Sequence, residues 1–220
     1  MNEPLARTMT GQITARIREK ILTGTYAPGS PLLQDSIAAE FGVSKIPVRE
    51  ALVQLRSEGL VDIFAHRGFQ VRAISASEMV EVFRLRLAIE PAAVAEGARK
   101  ASAGDRAAAA TAWQALNQAL ATGDLKNSGD LNSAFHLSLV VPRLQPVTSE
   151  TLARLHTLAQ RYVRMHLQPA GRVKRAMKEH TALHEAWAAQ DAKEARRLCQ
   201  AHIEETLDEL ADALSPKLKK

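Results

Sequence analysis

One stretch of the sequence, residues 33–52, decides the fold of the N-terminal part of the chain: LQDSIAAEFGVSKIPVREAL. Apolar residues recur at helical spacing on both sides of its Gly42-Val43 step. This pattern predicts a short helix over 33–41 and a second helix over 45–58. Two short helices joined by a glycine-containing turn form the helix-turn-helix pattern, whose second helix enters the major groove of DNA.

The residues after the second helix predict a β-hairpin. Residues 59–64 and 69–71 are β-prone, and the turn between them contains His66, Arg67 and Gly68. A basic hairpin directly after a helix-turn-helix is typical of the wing of a winged helix. We therefore place a winged helix-turn-helix domain at residues 1–73 and expect all three turn residues to lie at a DNA-binding surface.

The start of the second helix has the residue types that contact DNA. Ser44 precedes it, where a hydroxyl can cap the helix by accepting a hydrogen bond from a free backbone N–H. The positive end of the helix favours a nearby phosphate. Lys45 and Arg49 share one face, and a guanidinium there can donate two hydrogen bonds to guanine. Pro47 lies in the first turn, where its missing N–H costs little. The alternative is that these basic side chains only solvate an outer face.

The composition agrees with an intracellular protein that binds a polyanion. The net charge is +5 and the chain has one cysteine, which excludes an internal disulfide and fits a reducing compartment. The N-terminal residues lack the pattern of a signal peptide, and no apolar run reaches the length of a membrane span. We expect a cytoplasmic protein with no membrane partner.

The same residues resemble the winged-helix domain of GntR-type transcriptional regulators. The resemblance is carried by Pro28-Gly29, by the run from Phe41 to Leu52 and by Arg67-Gly68. It implies contacts with double-stranded operator DNA from Ser44, Lys45 and Arg49, with the wing tip near the minor groove. Two residues depart from the family: Lys45 stands where the family usually has arginine, and Asp35 stands where some relatives have a base-contacting arginine.

The remainder of the chain, 74–220, predicts an all-α domain. Its helix-periodic segments are separated by glycine and proline, and short connections favour an antiparallel bundle. Ser75 and Glu78 have the spacing of a capping box at the start of the first helix. We expect about six helices, over roughly 76–101, 105–121, 128–140, 148–167, 171–189 and 191–213.

The histidines of this second domain suggest a metal site. His136 lies on the third predicted helix, one turn after Asn132; His180 and His184 lie a turn apart on the fifth, and His202 lies on the last. Imidazoles from facing helices can bind a metal in the interior of a bundle, and they favour zinc, nickel, copper or iron over calcium. The alternative is that each is an ordinary core or surface residue.

The second domain resembles the FCD ligand-binding domain of the FadR-like branch of the same family. The markers are Arg86-x-x-x-Glu90-Pro91, Asn132-x-x-Phe135-His136, Glu179-His180 and Ala201-His202. The resemblance implies a divalent metal at the floor of an effector cavity, with Asn132, His136, His180 and His202 as ligands. The family more often has aspartate at the first position. An amide brings no charge, so zinc or nickel is expected rather than Mg²⁺ or Mn²⁺.

Two further residues are effector candidates. The resemblance places Arg86 near a small carboxylate metabolite. The alternative is an ion pair with Glu90 at i, i+4, which would contribute only a few tenths of a kcal/mol if it is exposed. His184 is expected to support the metal or the effector.

We therefore expect a homodimeric, ligand-responsive transcriptional regulator, a repressor rather than an enzyme. No carboxylate general base accompanies the histidines as in His-Glu-x-x-His. The other classes considered are an architectural DNA-binding protein with a dimerising helical domain, and an all-α metalloenzyme.

Overall fold

The computed structural model describes residues 8–65, 67–123, 125–141, 143–166 and 171–214, and leaves out the side chains of 125–127 and 164–166. The chain divides into two units, Met1–Ile74 and Ser75–Lys220. None of the helices in the described ranges is long and apolar enough to cross a membrane.

The first unit is a three-helix domain with a small sheet. The strands form an antiparallel sheet in the order β1-β3-β2, with Ile63 opposite Phe69. The helix-turn-helix and the hairpin are as expected, whereas the short strand β1 has no signal in the sequence. The elements are α1 (Met9–Leu22), β1 (Pro31–Leu32), α2 (Gln34–Phe41), α3 (Lys45–Ser57), β2 (Val61–Phe64) and β3 (Gly68–Val71).

A single apolar cluster holds this unit together. Ile17 of α1, together with Leu52 and Leu55 of α3, is fully buried in it. Gly42 ends α2 in the left-handed conformation, with φ of 65°. That conformation suits glycine because it has no Cβ, and it produces the tight turn that sets α3 against α2.

The second unit consists of helices in its described part, which confirms the predicted fold class. Compared with the predicted ranges, the helix ends differ by at most three residues; α6 begins three residues and α7 two residues earlier than expected. The elements are α4 (Ala76–Lys100), α5 (Ala103–Thr122), α6 (Leu125–Val140), α7 (Pro146–His166), α8 (Arg172–Ala188) and α9 (Ala192–Leu214).

Helix α4 is the centre of the bundle and packs against α6, α7, α8 and α9. Its predicted capping box is only half formed. The Ser75 hydroxyl accepts a hydrogen bond from the backbone N–H of Glu78. The carboxylate of Glu78 instead accepts a 2.8 Å hydrogen bond from the Tyr162 hydroxyl of α7. The start of α4 is therefore fastened to α7.

Helix α4 approaches the end of α6 very closely at Gly97. A Cβ on Gly97 would lie 2.0 Å from the carbonyl oxygen of Leu139. The same oxygen accepts a 2.9 Å hydrogen bond from the indole N–H of the fully buried Trp187 on α8. Three helices thus meet at a point that has no room for a methyl group.

We expect Gly97→Ala to lower the free energy of unfolding by about 3 kcal/mol, because the added methyl forces α4 and α6 apart in a packed core. Gly104→Ala is the matched control. Gly104 lies in the first turn of α5, where a Cβ would meet its nearest atom at 3.7 Å. Urea unfolding should show the control unchanged or slightly more stable. Equal stability of both variants would contradict the close approach.

Candidate nucleic-acid interface and metal centre

Helix α3 presents one exposed strip of side chains. Its opposite side is buried through Val48, Leu52 and Leu55. Arg49 lies on the exposed side, as does Lys45 in the first turn. The first-turn residues of the second helix in a helix-turn-helix are those that reach base edges. The structure therefore places the two predicted basic contacts on the side of α3 that is open to a ligand.

Ser44 occupies the N-cap position of α3, but the predicted side-chain cap is wrong. Its backbone is extended, with φ of −74° and ψ of 165°, and its hydroxyl makes no capping hydrogen bond. Ser44 is exposed. The hydroxyl and the first amides of α3 are consequently available to a phosphate oxygen, which is the second role expected for this position. Pro47 lies in the first turn, as predicted.

Lys45 pairs with the residue that departs from the family pattern. Its ammonium group lies 2.5 Å from a carboxylate oxygen of Asp35 at the start of α2, and both side chains are about two-thirds exposed or more. An ion pair this exposed contributes little to stability. A DNA phosphate would compete with Asp35 for the lysine.

The wing is the hairpin of β2 and β3. The N–H of Arg67 donates a 3.2 Å hydrogen bond to the carbonyl of Phe64. Gly68 closes the turn with φ of 72°, a conformation that favours glycine. Arg67 and Gly68 are exposed. His66, the third predicted contact of the wing, lies outside the described residues.

Three of the predicted metal ligands converge inside the second unit. One ring nitrogen each of His136 on α6, His180 on α8 and His202 on α9 lies within 4.8 Å of the others. His136 and His180 are buried, and His202 is half-buried. The bundle thus brings together three imidazoles that are up to 66 residues apart, counted from His136 to His202.

The protonation state of two of these imidazoles, those of His136 and His180, suits a metal. Burial lowers the pKa of His136 to about 3, although the nearby Glu90 carboxylate acts in the opposite direction. Burial, reinforced by the neighbouring imidazoles, lowers the pKa of His180 well below its usual range. Neutral imidazole is the form that ligates. Both ring nitrogens of His180 are buried without a hydrogen-bond partner, an arrangement that costs free energy unless a ligand satisfies one of them.

His202 is oriented by a carboxylate. Its Nδ1 lies 2.7 Å from Oε2 of Glu179, the residue before His180. Glu179 in turn lies 3.1 Å from Nε of Arg175. In the tautomer whose Nδ1–H donates to Glu179, Nε2 of His202 has a lone pair that is free to bind a metal. Carboxylate partners of this kind fix the ring and raise the basicity of ligating histidines.

A second buried group surrounds the carboxylate of Glu90 on α4. Its Oε2 accepts a 2.8 Å hydrogen bond from Nε of Arg86. Nδ1 of His136 lies 2.8 Å from its Oε1, and Nε2 of His156 on α7 lies 3.2 Å from its Oε2. Burial alone would raise the pKa of Glu90, but the charge of Arg86 and the imidazoles hold it well below its usual range. The carboxylate and the two imidazoles could also hold a metal ion, but the charge of Arg86 offsets that of the carboxylate, which favours a role for Glu90 in positioning His136.

Asn132 and Arg86 line a cavity of about 50 Å³ next to the histidines. That volume exceeds the ~10–15 Å³ that one water requires, so the cavity suits a small ligand. Apolar walls come from Leu116, Leu120, Val163 and Ile203, and the polar lining includes Arg86, Asn132, Arg172, Arg175, Glu179, His180 and His202.

The structure adds detail to two expectations about single residues. Arg86 does pair with Glu90, and the pair is buried, at 4% and 1% side-chain exposure. His184 is not among the residues that line the cavity; its ring stacks on Trp113 of α5, with centroids 4.7 Å apart. The two residues thus separate: Arg86 belongs to the cavity, and His184 belongs to a stacked pair.

From the sequence, no supporting role was predicted for His156, Arg172, Arg175 or Glu179, and Glu90 was given a role only as a partner of Arg86. The i, i+4 spacing of Arg175 and Glu179 is a signal that could have been used. His156 gives no such signal, because its partner Glu90 lies 66 residues earlier.

Glu90→Gln is expected to lower the free energy of unfolding by about 3–5 kcal/mol, because it leaves the buried guanidinium of Arg86 without a counter-charge. Glu96→Gln, on the same helix, is the control, since Glu96 pairs with Arg99 and Lys100 at the surface. Chemical unfolding of the two variants should show a large loss for the first and little change for the second. A small loss for Glu90→Gln would show that the buried group is not a structural charge pair.

Comparison with known proteins agrees with this geometry. Residues 9–71 match the model of the bacterial regulatory proteins of the gntR family, and residues 81–205 match the FCD domain. The HTH-type transcriptional regulator BphR of Paraburkholderia xenovorans is 30% identical over 202 residues, which cover 87% of this chain and 81% of that protein. The HTH-type transcriptional repressor RspR of Escherichia coli is 28% identical, over 88% and 85% of the two chains.

The fold also has a counterpart among solved structures. Escherichia coli McbR/YncC superimposes with a TM-score of 0.80 at 22% identity, over 94% of this chain and 98% of that one. The helix-turn-helix and wing lie within the gntR match, and the three clustered histidines lie within the FCD match. This chain is therefore a member of the GntR family of helix-turn-helix transcriptional regulators, with a C-terminal FCD domain, and not an enzyme.

Proposed function

We propose that this protein is a cytoplasmic, homodimeric repressor whose FCD domain binds a divalent metal and a small carboxylate that controls operator binding. The observation that carries the proposal is the meeting of His136, His180 and His202 at one point beside an arginine-lined cavity. A buried imidazole without hydrogen-bond partners, such as that of His180, serves no packing purpose that an apolar side chain would not serve better. A metal would satisfy it.

The donor set favours zinc or nickel. Three imidazole nitrogens and the amide oxygen of Asn132 are borderline or neutral donors, and hard ions such as Mg²⁺ prefer carboxylates and water. When bound, the metal supplies a Lewis-acidic position that holds a carboxylate oxygen. The chain's own residues do the rest: Glu179 orients His202, and Glu90 orients His136.

The effector is a small organic acid. Four neutral ligands leave the metal with its full charge of +2, so an anion is favoured at its open positions. Arg86, Arg172 and Arg175 also line the cavity and add positive charge, although carboxylates of the protein offset part of it. The cavity volume restricts the ligand to a few heavy atoms beyond its carboxylate.

Effector binding is coupled to α4. His136 contacts Glu90 on this helix, and the beginning of the helix is held by the contact between Glu78 and Tyr162. A shift of the imidazole cluster therefore displaces the helix that follows directly after the DNA-binding domain in the chain. In a two-fold dimer, such a shift changes how two recognition helices fit two operator half-sites. A coupling free energy of about 1–3 kcal/mol suffices.

Protein purified without chelator should contain about one zinc or nickel ion per chain. The His180→Ala variant should lose this ion, because it lacks one of the three imidazoles proposed to bind it. His184→Ala is the control, since this imidazole stacks on Trp113 away from the cavity. Elemental analysis after dialysis against zinc measures the metal content of both variants. Equal metal content in the two variants would contradict the assigned ligands.

The role of the metal in effector binding is tested on the same samples. Calorimetric titration with a panel of small mono- and dicarboxylic acids should give binding to the metal-loaded protein and at least tenfold weaker binding to the stripped protein. Equal affinities would remove the metal from the effector site.

Arg49→Ala should weaken binding to the operator at least fivefold, because a bidentate contact with guanine contributes about 1–3 kcal/mol. Arg56→Ala, in the last turn of the same helix, removes the same charge away from the helix start and is the control. Gel shifts use the duplex enriched by wild-type protein from a random-sequence pool. Equal losses would reject Arg49 as a base contact and leave only a general electrostatic effect.

A further inference from the structure

The exposed strip of α3 contains apolar side chains on both sides of Arg49. Ile46 and Val53 lie three residues before and four residues after it, so all three share one face of the helix. Ile46 is 71% exposed and Val53 is 45% exposed. The strip is therefore not a uniformly polar surface, since two of its exposed members are branched aliphatic residues.

The position of Ile46 determines what can cover it. It is the second residue of α3, between Lys45 and Pro47, in the turn that reaches base edges in a helix-turn-helix. Among the groups in the major groove, the C5-methyl of thymine is the apolar one, and aliphatic side chains contact it. Covering Ile46 with any polar base edge would bury a donor or acceptor without a partner.

We propose that Ile46 selects a thymine in each operator half-site by contacting its C5-methyl group. This rests on the proposed DNA contact by α3 and adds the base that an apolar residue recognises there. Lys45 and Ser44 beside it are polar and suit phosphates, so they do not duplicate the contact.

The helix geometry fixes where the thymine lies. Ile46 and Arg49 are three residues apart, or about 4.5 Å along the helix axis. Successive base pairs are spaced by ~3.4 Å. The thymine therefore lies one or two base-pair steps from the guanine that Arg49 contacts. Val53 lies about 10 Å further along the helix from Ile46, beyond the first turn, and is the natural control.

The test removes single methyl groups from the DNA. Wild-type protein first enriches a duplex from a random-sequence pool; each thymine of that duplex is then replaced in turn by deoxyuridine, which lacks only the C5-methyl. The sensitive thymine should occur once per half-site, within two base-pair steps of the guanine that the Arg49→Ala variant no longer distinguishes from other bases. Replacing it with deoxyuridine should weaken binding about fourfold per half-site, the effect of one buried methyl group.

The same duplexes are then tested with protein variants. Ile46→Ala should bind the thymine duplex as weakly as wild type binds the deoxyuridine duplex, and the deoxyuridine replacement should cause it no further loss. Val53→Ala should retain the wild-type response. If wild type tolerates deoxyuridine at every thymine, or if Ile46→Ala remains as sensitive as wild type, the proposal is overturned while DNA binding by α3 stands. If wild type enriches no sequence, both proposals are overturned.

Discussion

The second unit depends on the interactions of the Glu90 carboxylate. It is 1% exposed, and it contacts the guanidinium of Arg86 and the imidazoles of His136 and His156. A charge buried this deeply is tolerated only when it is paired and hydrogen-bonded. Satisfying it requires α4, α6 and α7 to lie in one arrangement. The same arrangement holds the ring of His136 against Glu90 and close to the other two histidines, so the stability of the bundle and the geometry of the proposed metal site have one cause.

The two units use burial in opposite ways. In the first, the core is apolar and the candidate DNA contacts of α3 are exposed, where a DNA duplex can reach them from outside. In the second, the candidate metal ligands are buried or half-buried, so the proposed metal and small acid would be enclosed. An exposed surface binds DNA through many weak electrostatic contacts, and dissolved salt screens these contacts. An enclosed site, with its lower effective dielectric, can be switched by a single ligand.

The fold could be predicted from the sequence because each of its signals is local. The helical periodicity, the turn at Gly42 and the proline and glycine breaks each act within a few residues. The candidate site was predicted less completely. His136, His180 and His202 were found through spacing and family resemblance, but the partnership of Glu90 with His156 joins distant residues on different helices. Similarly, only the packed structure reveals that the Arg86–Glu90 pair is buried and that His184 stacks on Trp113.

The asparagine at position 132 has an electrostatic consequence for the whole cavity. An aspartate there would lower the charge of a bound metal to +1 and would repel an incoming carboxylate. The amide does neither, and the nearby carboxylates do not replace it, because Glu90 is held by Arg86 and Glu179 by His202 and Arg175. In the proposed function, the positive charge of the metal would thus be left for the effector to neutralise. The two ligands would then depend on each other: the metal would provide much of the binding energy of the acid, and the acid would supply the negative charge that the protein ligands lack.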